Sequence, residues 1–274
     1  MRDLRGRNAL VTGAAGGLGG YIARALAAEG VNLALSDLPS TNIDPLADEL
    51  RAKGVKVEWV PADLTDIGGL ETLARHSEEA IGPLDILVNN AGIELMGAYT
   101  AHTRAELEAI TQINLLAPME LTRVVISGMQ ERGAGHVVNI ASIAGKVPVA
   151  YLSSYNATKY GLVGFTHSLR FEYGDEPIGF SAICPVFINR VGMLGRVEDQ
   201  IDIPAAIGTM PPEAVGDAVV IAITENKPEV IVKKRMIRPM IMLASVAPRA
   251  AMKLGERLHA RDMARDYAQT QGRL

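Results

Sequence analysis

The sequence places a tyrosine and a lysine four residues apart, Tyr155 and Lys159, in a stretch with helical periodicity. Side chains at this spacing share one face of a helix. A free tyrosine titrates near pH ~10, and a nearby ammonium group lowers that pKa because it stabilises the phenolate. The pair therefore predicts a tyrosine that gives or takes a proton as a general acid/base. A surface pair on an amphipathic helix is the alternative.

A serine precedes this pair, directly after an apolar run at residues 136–140. The hydroxyl of Ser142 can bond a substrate oxygen there and stabilise the charge that develops on it. A serine at a strand end is a weak signal by itself. The prediction of a proton-transfer site therefore depends on whether the rest of the chain brings Ser142, Tyr155 and a cofactor together.

A glycine-rich turn at residues 12–19 follows the first apolar run and opens a helical stretch. Glycines let the backbone turn tightly and approach a pyrophosphate, whose negative charge is favoured at a helix N-terminus. The spacing Gly-x-x-x-Gly-x-Gly differs from the general dinucleotide fingerprint Gly-x-Gly-x-x-Gly. A turn that only packs helix against strand is the alternative. The predicted cofactor contacts here are Gly13, Gly16, Gly17, Leu18 and Gly19.

An aspartate, Asp37, ends the second apolar run. A carboxylate at this place accepts hydrogen bonds from the adenosine ribose hydroxyls and repels an added 2′-phosphate. No lysine or arginine lies between Gly13 and Gly19 or directly after Asp37 to bind that phosphate. The sequence therefore favours NAD over NADP as the cofactor. An ordinary loop aspartate before Pro39 is the alternative.

Polar and small residues also follow the third and fourth apolar runs. Open α/β sheets bind ligands at the carboxyl ends of their strands, so these residues are predicted to contact the cofactor. A helix N-cap at Asp63 and turn-forming asparagines at 89–90 would explain the same residues without a ligand. The predicted contacts are Asp63, Leu64, Asn90, Ala91 and Gly92.

Short apolar runs alternate with helical stretches along the chain, and this alternation predicts parallel strands with helices on both faces. The runs are continuous, as strands buried on both faces should be. Residues 186–210 interrupt the pattern and are predicted to form a functional loop such as a lid. The strands are predicted at 8–12, 31–35, 55–60, 84–88, 136–140, 178–183 and 229–232, and the helices at 18–28, 43–53, 66–81, 103–131, 151–173 and 211–225.

Composition excludes several classes of protein. The net charge of −4 argues against a nucleic-acid binder. The single cysteine, Cys184, excludes an internal disulfide and a multi-cysteine metal site, and the five histidines are scattered, so no metal is expected. No apolar run approaches the ~20 residues of a membrane span, and no signal-peptide core precedes the first strand. A cytoplasmic protein is expected.

Together these residues, in this order and spacing, resemble the short-chain dehydrogenase/reductase family over roughly residues 4–232. The resemblance implies an α/β fold, a single-domain Rossmann-type doubly wound parallel sheet of about seven strands with helices on both faces. The residues that carry it are Thr12, Gly13, Gly17, Gly19, Asp63, Asn89, Asn90, Ala91, Gly92, Asn114, Ser142, Tyr155 and Lys159.

The same resemblance implies a role for each residue of a catalytic tetrad. Tyr155 would be the general acid/base, and Lys159 would bond the nicotinamide ribose and lower the tyrosine pKa. Ser142 would orient the substrate carbonyl, and Asn114 would hold a water in a proton relay. Family members commonly form dimers or tetramers through the helices that match 103–131 and 151–173, so a homodimer or homotetramer is expected.

The sequence departs from the family pattern after the sixth strand. Pro185-Val186 stands where Pro-Gly is usual, and Arg190 stands where a threonine often bonds the nicotinamide amide. Pro185 and Ile188 are still predicted to contact the cofactor, Ile188 through its backbone. Because the tetrad is complete, activity is still expected.

Mostly apolar residues near the site predict a hydrophobic alcohol or ketone as substrate. The predicted substrate contacts are Ser142, Tyr155, Val149, Phe187 and Met193.

The tail differs chemically from the body of the chain. Residues 230–274 carry ten Lys/Arg against three Asp/Glu, and five of the eleven methionines fall between 236 and 263. The chain is therefore divided into an NAD-binding catalytic domain, 1–234, and a basic, Met-rich extension, 235–274. The extension is expected to pack on the same domain or on a neighbouring subunit, and contact with an anionic membrane surface is the alternative.

The sequence thus predicts an NAD(H)-dependent oxidoreductase that interconverts a hydroxyl and a carbonyl on a hydrophobic substrate. A cofactor-binding regulatory protein without turnover is one alternative, and the intact Ser–Tyr–Lys set argues against it. A 3-oxoacyl-carrier-protein reductase is another. Such reductases usually prefer NADPH, which Asp37 disfavours.

Overall fold

Seven parallel strands form one sheet in the order β3-β2-β1-β4-β5-β6-β7. The computed structural model describes residues 1–189, 191, 208–233, 237–257, 259–270 and 273. The strands are β1 (Asn8–Thr12), β2 (Asn32–Ser36), β3 (Val57–Trp59), β4 (Ile86–Asn89), β5 (Gly135–Ile140), β6 (Ile178–Pro185) and β7 (Glu229–Val232). The predicted α/β fold with a doubly wound parallel sheet is confirmed.

Helices cover both faces of this sheet. They are α1 (Gly17–Ala28), α2 (Asp44–Arg51), α3 (Leu70–Ile81), α4 (Arg104–Thr111), α5 (Ala117–Glu131), α6 (Ser153–Glu172), α7 (Glu213–Thr224), α8 (Arg238–Val246), α9 (Pro248–Arg257) and α10 (Ala260–Thr270). In the described part of the chain, no helix combines the length and apolar character needed to cross a membrane.

Alternate side chains of strands β1, β2, β4 and β5 enter two separate cores, because successive residues of a strand point to opposite faces. In β1, Ala9 and Val11 pack on one face with residues of α1 and α7, such as Ile22. Leu10 packs on the other face with residues of α3 and α5, such as Leu121. Since both faces are apolar, the strands read as continuous apolar runs in the sequence.

One predicted helix proves to be three segments. The stretch predicted as a helix over 103–131 consists of α4, a π-helical turn at Gln112–Leu116 and α5. A capping box between Thr103 and Glu106 starts α4, as the pattern Thr-x-x-Glu favours. The π turn carries Asn114 and buries it completely. Such turns inside α-helices are frequent at functional sites.

The strand order reverses beside β1, where β2 pairs on one side and β4 on the other. The loops that follow these strands diverge to opposite faces and leave a crevice at their carboxyl ends. Asp37 follows β2, Asn90 follows β4, and Ser142 lies two residues beyond β5. The topology therefore brings the predicted site residues to one edge of the sheet.

Candidate active site

The crevice at the switch point is lined by most of the predicted cofactor contacts. Gly19 is buried and packs against Gly13 instead of lining the crevice, and Pro185 and Ile188 line an adjacent pocket. The predicted residues that line the crevice are Gly13, Gly16, Gly17, Leu18, Asp37, Asp63, Leu64, Asn90, Ala91, Gly92, Tyr155 and Lys159. Further residues that the sequence analysis did not select are Ser36, Leu38, Ala62, Ile93, Ile113, Ile140 and Ala141.

The glycine turn allows two loops to meet at close range. Gly13 has φ +62°, and a Cβ there would lie 2.7 Å from the Cα of Ala91. A Cβ on Gly19 would overlap the carbonyl oxygen of Gly13. Gly16 is the N-cap of α1 and has no side chain to occupy the first N–H groups of that helix. The backbone therefore forms a cradle at a helix N-terminus, which suits a pyrophosphate.

Asn90 fixes the shape of this cradle. Its Nδ2 donates hydrogen bonds to the carbonyl oxygens of Thr12 and Gly13, at 2.9 and 3.0 Å. The Oγ1 of Thr12 accepts hydrogen bonds from the backbone N–H groups of Asn90 and Ala91. The side chain of Asn90 thus joins the loop after β4 to the glycine turn.

Two aspartates, Asp37 and Asp63, line the crevice. One carboxylate oxygen of Asp37 accepts a hydrogen bond from the backbone N–H of Ala15, at 3.0 Å, which holds the side chain against the glycine turn. Asp63 accepts hydrogen bonds from the N–H and hydroxyl of Thr65. The cap of the following 3₁₀ turn is Asp66, so a helix N-cap does not explain Asp63.

Tyr155 and Lys159 are buried on the face of α6 that meets the sheet. The Lys159 Nζ lies 5.6 Å from the centre of the Tyr155 ring and donates a hydrogen bond to the carbonyl oxygen of Ile140, at 2.9 Å. Ser142 makes a side-chain hydrogen bond with Tyr155. The backbone N–H of Ala144 donates to the Ser142 Oγ and orients it. The structure therefore brings the three predicted residues together.

Burial sets the protonation of this pair. It raises the pKa of Tyr155 above its ordinary value, the Glu94 carboxylate raises it further, and the Ser142 hydrogen bond lowers it. Burial also lowers the pKa of Lys159 to about 8. The sequence predicts a lowered tyrosine pKa, and the chain alone shows the opposite direction because loss of solvent outweighs the favourable contacts. Tyr155 is therefore protonated at neutral pH in the chain alone.

Asn114 connects the loop after β4 with the catalytic helix. Its Oδ1 accepts a hydrogen bond from the Ile93 N–H, and its Nδ2 donates to the Ile93 carbonyl oxygen, each at 2.8 Å. The Nδ2 also lies 3.2 Å from the Oγ1 of Thr158, which stands between Tyr155 and Lys159 on α6. The π turn thus places Asn114 where the loop and the helix meet.

A second pocket adjoins the crevice, and Tyr155 lines both. Four predicted substrate residues line it, while Met193 lies outside the described residues. The sequence analysis expects the tail to pack on the same domain or on a neighbouring subunit, but a basic, Met-rich composition does not show which side chains of α10 line the pocket. The lining residues include Ser142, Val149, Tyr155 and Phe187, together with Glu94, Met96, Leu152, Met263, Ala264 and Tyr267.

The site thus joins a cradle for a dinucleotide to a largely apolar pocket, with a buried tyrosine at the junction.

A sequence model of the short-chain dehydrogenase family matches residues 7–202. The chain belongs to this family. As a short-chain dehydrogenase it is an oxidoreductase with a nucleotide cofactor. Ketoacyl reductase HetN from a Nostoc species is 37% identical over 253 residues, which are 90% of this chain and 88% of HetN.

Solved structures of other family members show the same fold with either nicotinamide cofactor. A short-chain dehydrogenase/reductase from Burkholderia phymatum in complex with NAD has a TM-score of 0.81 at 25% identity and covers 91% of this chain and 96% of its own. A variant of actinorhodin polyketide ketoreductase with NADPH has a TM-score of 0.76 at 29% identity and covers 83% of this chain and 95% of its own. Family membership alone therefore leaves both cofactors open.

Proposed function

We propose that this short-chain dehydrogenase uses NAD(H) to interconvert a hydroxyl and a carbonyl on a hydrophobic small molecule. One observation carries the proposal: Tyr155 lies in both the dinucleotide crevice and the apolar pocket and is hydrogen-bonded to Ser142. A carbonyl in the pocket can reach both hydroxyls beside the crevice. The bound nicotinamide supplies the hydride for reduction or accepts it for oxidation.

The chain's own residues would handle the proton. In reduction, the Tyr155 hydroxyl donates its proton to the oxygen of the carbonyl, and the Ser142 hydroxyl bonds the same oxygen and stabilises its developing charge. The Lys159 ammonium, fixed on the carbonyl oxygen of Ile140, stabilises the phenolate that remains. In oxidation the proton moves back to Tyr155.

A substrate screen tests this function. Purified protein is mixed with NADH and a panel of aliphatic and aromatic ketones, or with NAD and the matching secondary alcohols. Consumption or formation of reduced nicotinamide is followed by its absorbance. We expect turnover of apolar members of the panel. Tight NADH binding without turnover of any carbonyl would instead support a regulatory cofactor-binding protein.

The Asp37 carboxylate supports NAD as the cofactor. Among the described residues that line the crevice, the single cation is Lys159, which lies beside Tyr155 rather than beside Asp37. A 2′-phosphate next to Asp37 would therefore meet a negative charge without a compensating positive one.

Replacing Asp37 is expected to change cofactor preference. Asp37→Ser removes the ribose hydrogen bonds and the repulsion together, so NADH affinity falls about tenfold or more, while NADPH affinity stays constant or rises. The readout is the ratio of the two dissociation constants by fluorescence titration. Any general loosening of the glycine turn, through loss of the bond to Ala15, affects both cofactors equally. Asp44→Ser, at an exposed helix start, is the control, and an unchanged ratio in Asp37→Ser contradicts the assignment.

A second candidate is reduction of 3-oxoacyl groups attached to a carrier. The likeness to ketoacyl reductase HetN and to actinorhodin polyketide ketoreductase favours it. The chemistry at Tyr155 would be the same, and the substrate would be a β-ketoacyl thioester. Turnover of acetoacetyl-coenzyme A with a preference for NADPH would support this candidate over the first.

The negative charge of Glu94 is expected to influence the pH profile of alcohol oxidation. Its carboxylate raises the pKa of Tyr155, so Glu94→Gln lowers that pKa and makes the phenolate available at lower pH. Alcohol oxidation needs the phenolate, and its pH profile is expected to shift toward lower pH. Glu108→Gln, an exposed helix residue paired with Arg104, is the isosteric control. Identical profiles for Glu94→Gln and the unmutated protein would refute this coupling.

Exposed apolar side chains support the expected self-association. Four of them lie on the π turn and on helices α5 and α6, the region that the sequence analysis predicts for subunit contacts. They are Leu116, Met119, Tyr160 and Phe171. We infer that this surface is covered in a homo-oligomer.

A further inference from the structure

One face of α10 closes the apolar pocket. Ala264, Tyr267 and Ala268 are buried, and their spacing of three and four residues places them on the same face of the helix. Tyr267 and Ala268 pack in one cluster with residues that include Leu152 and Tyr155, and Ala264 lines the pocket beside them. The two alanines are small, so the helix backbone can approach closely, and the Tyr267 and Met263 side chains reach the pocket lining.

The chain after α10 is fastened to the loop that follows β4. Arg273 forms an ion pair with Glu106 at 2.7 Å. The carbonyl oxygen of Arg273 accepts a hydrogen bond from the Ala98 N–H at 2.9 Å. Gly97 has φ +150°, and a Cβ there would lie 2.7 Å from the Cβ of Arg273. The missing side chain of Gly97 therefore makes room for this attachment.

The attachment does not depend on pH near neutrality. Hydrogen bonds from the Thr103 backbone and hydroxyl, and then from Arg273, lower the pKa of Glu106 to about 2. The carboxylate is therefore ionised throughout the range in which the enzyme would work. The same Glu106 caps α4, so the tail is held by a residue that the body of the fold already positions.

The match to the family model ends at residue 202, so α10 is an addition to the matched region. We propose that α10 is a specificity wall, in which Tyr267 and Met263 set how large a substituent the carbonyl substrate can carry. The proposal rests on the proposed carbonyl chemistry at Tyr155. It adds two specificity residues, and one positioning residue, Arg273, that acts through them.

The wall limits the size of the substrate for a geometric reason. Tyr155 and Tyr267 line the same pocket, so a carbonyl bonded to the Tyr155 hydroxyl directs its substituents into a space that Tyr267 closes in part. Truncating Tyr267 enlarges this space without touching Ser142, Lys159 or the crevice. Substrate preference should change while cofactor affinity and the proton step stay the same.

The test compares substrates within one enzyme. Tyr267→Ala is assayed with NADH and a series of methyl ketones from butanone to 2-dodecanone and acetonaphthone. We expect kcat/KM for the bulkiest ketones to rise about tenfold relative to butanone, since small changes in pocket size discriminate substrates by about this factor. The change should lie mainly in KM, with the NADH dissociation constant unchanged. Val246→Ala, which truncates a 74% exposed residue on α8, should leave the series unchanged.

A second variant covers the case in which Tyr267→Ala unfolds the tail. Arg273→Gln removes the ion pair to Glu106 and leaves the wall residues unchanged. We expect it to shift kcat/KM toward bulky ketones in the same direction as Tyr267→Ala, but by a smaller factor. If the unmutated protein reduces ketones and neither variant changes the ratio between bulky and small ones, the wall proposal is overturned. If the unmutated protein binds NADH and reduces none of the series, the proposed function fails instead.

Discussion

Tyr155→Phe is expected to lower kcat for ketone reduction by about 10³-fold, within the range of general acid–base contributions. The substitution removes the hydroxyl that donates the proton and leaves the buried ring, so packing against α10 and the pocket is kept. NADH should still bind with nearly unchanged affinity, because the cradle consists of backbone at the glycine turn. Stopped-flow or steady-state absorbance gives the rate, and fluorescence titration gives the affinity.

The same helix offers a matched control for this substitution. Tyr160 lies five residues further along α6 and is 42% exposed. Tyr160→Phe makes the same chemical change away from the crevice and should leave kcat within about twofold, as is usual for surface substitutions of small effect. If Tyr155→Phe retains most of its turnover while Tyr160→Phe behaves as expected, another group must supply the proton. The assignment of Tyr155 would then be wrong.

The sheet could be predicted from sequence because of how its strands are buried. Leu10 and Val11 point to opposite faces, and both faces are covered by helices, so the strands appear as unbroken apolar runs between helical periods. The predicted strand ends differ from the observed ones by at most about two residues, as is usual where helices and strands fray. The position of the cofactor crevice could then be predicted from the glycines and aspartates that follow the strands.

Three features could not be predicted from the sequence, one because it leaves no periodic signal and two because they depend on distant parts of the chain. The π turn at Gln112–Leu116 leaves no periodic signal, since it changes the path of a helix by a single residue. The raised pKa of Tyr155 results from burial by the whole fold. The contact of Tyr267 with the pocket joins residues more than a hundred positions apart, and a single sequence contains no record of that packing.

The second large effect is expected at Gly19. Gly19→Ala introduces a Cβ that overlaps the Gly13 carbonyl oxygen and lies 2.7 Å from the Cα of Ala14. Both contacts are with backbone, which cannot rotate away as a flexible side chain can. Overpacking of this kind costs about 3 kcal/mol, which corresponds to a fall in Tm of roughly 10 °C for a domain of this size. Calorimetry or fluorescence melting measures it.

The displaced backbone in Gly19→Ala is the glycine turn itself, so loss of NADH binding should accompany the loss of stability. Gly164→Ala separates this effect from the general effect of adding a methyl group to a helical glycine. Gly164 is an exposed residue of α6, and a Cβ there would meet nothing within 4 Å. Alanine is the better helix former by about 1 kcal/mol, so Gly164→Ala should keep or raise the Tm and bind NADH normally. If Gly19→Ala has the same Tm and the same NADH affinity as the unmutated protein, the glycine turn is not rigid. The close contact between Gly13 and α1 would then have been misinterpreted.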